Sequence, residues 1–242
     1  MSDDTQPDVQ GLEVAADLAP IDRSTRWVID AFGGGVHFAT AATNTLHALH
    51  PAERTLAEEM APGRRASFVA GRVAMSRALR AAGHPPFAVT ASCEGVPILP
   101  EGYLGSITHK HGRAVGVVAR QGIAAGLGID LEFDDGLDDA DLRATVLTAR
   151  EADEVAALAT AEPNLVSIVT LVLAAKEAVY KAVFPLLRSP FDFDDVELTF
   201  EPKSRAFRVV HLPGDGEIHV EGRYSLSERW IVTLALANRR RP

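Results

Sequence analysis

The chain has 242 residues, 47% of them apolar and 24% charged, the make-up of a folded globular protein long enough for one large domain or two small ones. A net charge of −9 argues against a nucleic-acid or anionic-membrane partner, because neutralising phosphates calls for clustered Lys and Arg, and the one dense basic run, Arg239-Arg240-Arg241, reads as a solvated tail. A single cysteine, Cys93, leaves no intrachain disulfide, the acidic start Met1-Ser2-Asp3-Asp4 is unlike a secretory signal, and no apolar run reaches the ~18 residues of a membrane span, so a soluble, cytoplasmic protein is expected; a monomer is expected as well.

Residues 1–20 are Asp-rich and read as a mobile leader. Arg26 to Asp30 reads as a strand, and Gly33-Gly34-Gly35 as a hairpin turn; no Lys-Ser/Thr follows at the spacing of a phosphate loop. Pro51 to Met60 reads as a short helix with proline in its first turn. From Arg64 to Ala82 the pattern is helical, with Phe68, Arg72, Met75 and Leu79 on one face, so Arg72 lies in an apolar stripe and needs a partner. Phe87 to Leu99 is strand-like around the turn Glu94-Gly95-Val96-Pro97. Gly105 to His109 and Ala114 to Ala119 read as a strand pair joined at His111-Gly112. His109-Lys110-His111, without further His or Cys at ligand spacing, is a weak metal signal.

Gly126 to Glu132 reads as a buried strand in which Leu127, Ile129 and Leu131 alternate with Asp130 and Glu132. Two carboxylates at i and i+2 project from one face and repel unless a cation, a proton or an arginine lies between them, which leaves two readings, a hard cation held by oxygen ligands or a strand end running into solvent at Asp134-Asp135. The acidic run from Asp134 to Asp139 reads as a solvated loop, and residues 140–160 as two helical pieces broken around Thr148. Residues 165–187 form an apolar helix in which Glu177 and Lys181 stand at i and i+4 on one face, so its charged residues must emerge at an edge or line a polar site. Phe191 to Phe200 and Phe207 to His211 read as strands, and Ile218 to Leu226 with Trp230 to Ala237 as a closing antiparallel pair.

Gly128-Ile129-Asp130-Leu131-Glu132, followed by Ala175-Lys176-Glu177-Ala178-Val179-Tyr180-Lys181-Ala182, resembles the paired signature of the 4'-phosphopantetheinyl transferases, in the larger single-chain form that activates surfactin and enterobactin synthetases. Upstream, Arg64 to Arg72 is similar to that family's arginine-bearing helix, and Gly105-Ser106-Ile107-Thr108-His109 to its Gly-Ser-x-Ser/Thr-His strand. The resemblance covers roughly residues 50–200. It implies transfer of the phosphopantetheine arm of coenzyme A to a serine of an apo acyl or peptidyl carrier protein, with release of adenosine 3',5'-bisphosphate. It implies Mg2+, with Mn2+ able to substitute, on Asp130, Glu132 and Glu177. Coenzyme A contacts are implied at Arg64, Arg72, Glu94, Gly95, Val96, Pro97, Thr108, His109, Asp130, Glu177, Lys181 and Phe191. Catalytic roles fall to Asp130, Lys181 and Glu177, the last taking the serine proton directly or through a metal-bound water.

Helical geometry leaves Arg65 in competition with Arg64, since seven residues bring it closer to the face of Arg72 than eight. Relatives commonly carry Lys or Arg before the proline matched by Pro97, whereas this chain has Glu94-Gly95-Val96. The implied fold is α+β: two similar subdomains, residues 21–124 for phosphate recognition and 125–238 for the metal and catalytic helix, in a pseudo-twofold arrangement with the site in the cleft between. A catalytically silent binding homologue and a Mg2+-dependent phosphohydrolase are the competing readings.

Overall fold

Ile21, Ser24, Thr25, Val28 and Ile29 recur at helical spacing and are all buried. In the computed structural model, which describes residues 17–42, 45–136, 140–214 and 216–239, they form helix α1 (Ala19–Asp30), opened by Pro20 and by the Asp17 carboxylate accepting from the Ala19 amide at 2.9 Å. The strand expected over residues 26–30 does not form, because Val28 and Ile29 continue a helical period begun at Ile21. The first sixteen residues of the expected leader lie outside the described residues, and Leu18, Ala19 and Pro20 belong to α1 and its cap. Gly33, Gly34 and Gly35 all take positive φ (80°, 96°, 83°) and turn the chain from helix into β1 (Val36–Ala41), where a hairpin was expected.

Helices α2 (Pro51–Glu58) and α3 (Pro62–Ala81) follow, then the two-residue strands β2 (Thr90–Ala91) and β3 (Pro97–Ile98), which pair around the expected turn and are shorter than the strand-like stretch expected over residues 87–99. Next come β4 (Tyr103–Lys110) and β5 (Arg113–Arg120). The order β1-β5-β4 makes an antiparallel sheet covered by α3. The second half opens with β6 (Gly126–Phe133), continues through α4 (Ala140–Val146), α5 (Glu151–Ala161) and α6 (Ile168–Leu187), and closes with β7 (Glu197–Glu201), β8 (Ala206–His211), β9 (Ile218–Ser227) and β10 (Trp230–Arg239). Its five strands pair antiparallel in the order β6-β10-β9-β8-β7, with α6 across β6 and β10. Each half is thus a sheet with one long helix on its outer face, an α+β fold.

Strand alternation builds the layers. Val115 and Val117 of β5, Leu127, Ile129 and Leu131 of β6, Val232 and Leu234 of β10, and Ile21 and Val28 of α1 share one core between the two sheets. The opposite face of β6 carries Gly126, Gly128, Asp130 and Glu132. A side chain on Gly128 would meet the Ala178 carbonyl at 1.9 Å, and one on Gly126 the Ala182 carbonyl at 2.0 Å. These two glycines let the backbone of α6 rest on the strand, and so bring Glu177 and Lys181 beside Asp130.

Among the described residues, no backbone ladder joins the two sheets. Hydroxyls on β4 do that work: Ser106 accepts from the Ile129 amide and Thr108 from the Leu131 amide, each at 3.2 Å. Helix α1 bridges the halves a second time, its Asp22 accepting from Thr40 at 2.8 Å and its Ser24 bonded to Ser225 at 3.3 Å.

Two loop expectations change. Asp134, expected in a solvated loop, is buried and accepts from the Val166 and Ser167 amides at 2.7 and 2.9 Å, which ties the strand end to the start of α6; residues 137–139 lie outside the described residues. Arg239, expected in a tail, ends β10 with Glu217 at 3.7 Å, and residues 240 and 241 lie outside the described residues.

Candidate active site

A cleft of about 840 Å3 runs between α3 and α6 at the edge where the halves meet. One wall is α3 with Arg64, Phe68 and Arg72; the other is α6 with Tyr180, Lys181, Phe184 and Pro185. The floor is Gly105 to Ile107 and His109 of β4, and the lip is the β2–β3 turn, Glu94 to Pro97. Cations therefore gather here in a chain that is acidic overall, as an anionic ligand would require.

The arginines separate cleanly. Arg64 lines the cleft, whereas Arg65 donates to the Glu58 and Met60 carbonyls at 3.3 and 2.8 Å and so caps the end of α2. Arg72 lies over the Phe68 ring, 4.7 Å from its centroid, and its Nε is buried without a hydrogen-bond partner. Burial pulls the Arg72 guanidinium below its ordinary pKa, against the field of Glu53. An anion in the cleft would relieve both conditions.

On β4, alternation puts Ile107 and His109 on the α3 side and Ser106, Thr108 and Lys110 on the side of β6. Thr108 is thus not where a coenzyme A contact was expected. It is buried, and its hydroxyl donates to Asp130 Oδ1 at 2.9 Å while accepting from Leu131. Burial, with Lys181 adding, lowers the His109 pKa and so favours the neutral imidazole. Phe191, also expected to touch coenzyme A, is absent from the lining; its ring packs on Tyr180 at 4.8 Å and backs the α6 wall.

The acidic centre is crowded and only partly neutralised. Asp130 Oδ1 takes Thr108 and, at 2.7 Å, Lys181, whose ammonium also donates to the Ile129 carbonyl at 3.2 Å. Asp130 Oδ2 is buried without a partner. Glu177 stands 4.0 Å from Lys181, and Glu132 is ion-paired with Lys110. Burial raises the Glu177 pKa, with Asp130 and Glu132 adding and Lys181 opposing. Burial raises that of Glu132 as well, with Asp130 adding and the two lysines opposing. A buried carboxylate oxygen without a donor, beside two carboxylates that resist ionising together, fits a hard divalent cation. Among the described residues, only Asp192, Asp194 and Asp195 have ligand atoms all within 4.8 Å of one another. All three are exposed, and Asp195 accepts from the Asp192 amide within a local turn, so nothing there asks for an ion. The carboxylates of Asp130, Glu132 and Glu177 do not all come within that distance of one another.

Lys176, one residue before Glu177, belongs elsewhere. It is buried behind α6, bonded to Glu151 at 2.7 Å and to the Val146 and Phe193 carbonyls at 2.7 and 2.8 Å. Sequence reasoning missed the Thr108 strut and the pairing of Lys110. The signal was the polar, period-two run Ser106, Thr108, Lys110, masked by a motif that reads those positions together with His109.

Two family models match in tandem: the 4'-phosphopantetheinyl transferase N-terminal domain over residues 52–119, and the 4'-phosphopantetheinyl transferase superfamily over residues 126–235. The chain is 35% identical to the 4'-phosphopantetheinyl transferase Svp of Streptomyces mobaraensis over 205 residues, 81% of each chain. It is 34% identical to PptT, a transferase of the same name from Mycobacterium tuberculosis, over 77% of this chain and 84% of that one. A solved holo-ACP-synthase from Plasmodium yoelii aligns with 47% of this chain and 94% of its own at 20% identity, with a TM-score of 0.37. Matched over both halves and most of its length, the chain belongs to the 4'-phosphopantetheinyl transferase superfamily, in its larger single-chain form, and is a 4'-phosphopantetheinyl transferase.

Proposed function

We propose that the cleft binds coenzyme A with a Mg2+ ion, or Mn2+ in its place, held by Asp130 and Glu177 with Glu132 beside them, and that adenosine 3',5'-bisphosphate leaves after transfer. The observation that carries this is the partnerless, buried Oδ2 of Asp130, whose other oxygen is paired with Lys181, a residue of the cleft wall that faces Arg64 and Arg72. Residues 21–124 then bring phosphate recognition, through Arg64, Arg72 and a neutral His109 that can donate from one ring nitrogen. Residues 125–238 bring the acidic centre and α6.

The ion, when bound, supplies charge neutralisation on the pyrophosphate. Thr108 and Lys181 orient Asp130 from one side, which leaves Oδ2 as its free ligand atom. The acceptor serine oxygen forms a bond to the phosphorus nearer the pantetheine arm, and the bond from that phosphorus to the nucleotide oxygen breaks. Glu177, partly open to solvent, takes the serine proton; Lys181, one turn on, can leave Asp130 to meet the charge that develops on the departing oxygen. The Tyr180, Phe184 and Pro185 wall gives the arm an apolar surface. We place the enzyme in the cytoplasm as a monomer, a reading that agrees with an exposed, unpaired Cys93 and that gel filtration would test.

The deciding experiment is incubation with coenzyme A, an apo carrier protein and Mg2+, read by mass spectrometry with and without EDTA. A gain of one phosphopantetheine arm that EDTA abolishes, with adenosine 3',5'-bisphosphate in the supernatant, is the expected result. Transfer that survives EDTA would overturn the metal assignment, and free pantetheine products would point to hydrolysis.

A further inference from the structure

We propose that Lys110 is a built-in competitor for the divalent cation: it holds Glu132 away from the metal and so sets how tightly, and through which carboxylates, the ion binds. This rests on the metal reading above and goes beyond it, since that reading gives Lys110 no role.

The position of Lys110 follows from the strand. Ser106, Thr108 and Lys110 point from β4 toward β6 in steps of two, and the first two are fixed by the Ile129 and Leu131 amides. The next step in that row carries the Lys110 ammonium to Glu132, with which it makes a direct ion pair. Both side chains are largely covered, at 33% and 16% exposure, and Lys110 extends from a strand anchored two residues earlier by the buried Thr108. Such a pair is less screened by water and salt than one between two free surface chains.

The three carboxylates differ accordingly. Asp130 shares one oxygen with Lys181 and keeps the other free; among the described residues, the one ion pair of Glu177 is with Lys181, at 4.0 Å; Glu132 has a cation of its own. A divalent ion that recruits Glu132 must first displace an ammonium and then sit near it. An ion held by Asp130 and Glu177 leaves the Lys110 pair whole, so that Glu132, neutralised by the ammonium, adds little to its attraction. Either way the lysine opposes the metal. Mg2+ often binds through one or two carboxylates and keeps its remaining waters, so the second arrangement is chemically complete.

The test is titration of the free, full-length protein with MnCl2, followed by the paramagnetic signal of unbound Mn2+, and with MgCl2 in competition, without coenzyme A. Lys110→Met should tighten Mn2+ binding by roughly twofold to fivefold, the factor that a partly screened ion pair represents. Lys110→Arg should stay near wild type. The gain should vanish in a Glu132→Gln background, where there is no carboxylate to release. Equal affinity in wild type and Lys110→Met overturns the proposal, and so does an equal gain with Glu132→Gln, which would be a general charge effect. Asp130→Asn separates this from the metal reading: if it still binds Mn2+ as wild type does, the site itself is misassigned, whereas its loss together with an unresponsive Lys110→Met sinks only the role of Lys110. Melting curves accompany each variant, and Lys110→Gln takes the place of Lys110→Met if that protein does not fold.

Discussion

Helix α6 has a lysine–carboxylate centre on each side, and the two are built to opposite ends. Behind the helix, Lys176 and Glu151 form a closed hub. The ammonium has three partners, and Glu151 also accepts from the Thr148 and Leu198 amides at 2.9 and 2.8 Å. In front, Lys181 serves Asp130 and approaches Glu177, Lys110 serves Glu132, and one Asp130 oxygen is left without a donor. The same side-chain types thus make a structural joint where donors and acceptors balance, and a binding site where negative charge is in excess. Closure of the hydrogen-bond inventory, more than residue type or burial, is what tells the two apart.

The sharpest way to break this contrast is to remove the open centre. Asp130→Ala should cut transfer by at least about a hundredfold, since charge neutralisation at a reacting pyrophosphate is worth several kcal/mol. Its melting temperature should hold or rise, because relieving repulsion from Glu132 and Glu177 offsets the lost Thr108 and Lys181 bonds. Unchanged turnover, with circular dichroism confirming the fold, would remove Asp130 from the reaction. At the closed centre the order inverts: Lys176→Ala strands a buried carboxylate and should cost about 3–5 kcal/mol of stability by urea unfolding. Lys181→Ala should cost transfer roughly a hundredfold, as for loss of a preorganised charge partner, with little change in stability. If Lys176→Ala instead folds normally and loses more activity than Lys181→Ala, the two roles are reversed.

Much of this architecture was legible in the chain. The alternation in Gly126 to Glu132 placed both carboxylates on one strand face, and the i, i+4 spacing placed Lys181 over Glu177. What stayed hidden depends on contacts between distant segments. Nothing local says that Gly126 and Gly128 exist to admit α6, or that Thr108 turns toward Asp130 while His109 faces the cleft. Lys176 looks from sequence like one more cation of a functional helix; only the approach of residues 146, 151 and 193 from elsewhere in the fold closes a cage around it. Helix α1 escaped for a different reason: its first turn straddles the end of the stretch that reads as leader, and its last turn, Arg26 to Asp30, reads by itself as a strand.

A weaker member of the closed class sharpens the comparison in the alkaline range. The Tyr224 hydroxyl donates to Glu162 at 2.9 Å, and burial, aided by that carboxylate, raises the phenol's pKa far above its ordinary 10.0. Because the folded-state value is raised, the contribution is complete below pH 10 and is lost as the pH climbs above it, where only the unfolded chain has released the proton. Unfolding free energy should therefore fall between about pH 10 and 11 in the wild type. Tyr224→Phe should cost about 1 kcal/mol at pH 8 and show a flatter alkaline limb. Parallel limbs in the two proteins would mean that Tyr224 ionises as it does in the unfolded chain.

The smallest effect probes the open class at the far end of the cleft. The β2–β3 turn is fixed by its own bonds, with the Ser92 hydroxyl accepting from the Glu94 and Val96 amides at 3.2 and 3.3 Å, and it borders the cleft with Glu94 where a cation would suit a phosphate better. If Arg64, Arg72 and His109 carry the anion, this turn contributes shape, and its one charge works weakly against binding. Glu94 is exposed and unneeded by the turn, so Glu94→Lys reverses that charge without disturbing the backbone. Exposed charge pairs are worth roughly 0.2–1 kcal/mol, so coenzyme A should bind a few-fold tighter at low ionic strength, and the gain should shrink as salt shortens the Debye length. Calorimetry at two salt concentrations separates the outcomes. A gain that ignores salt would mean a new direct contact, and no gain at low salt would place the phosphates away from the turn, leaving the arginines of α3 to hold them alone.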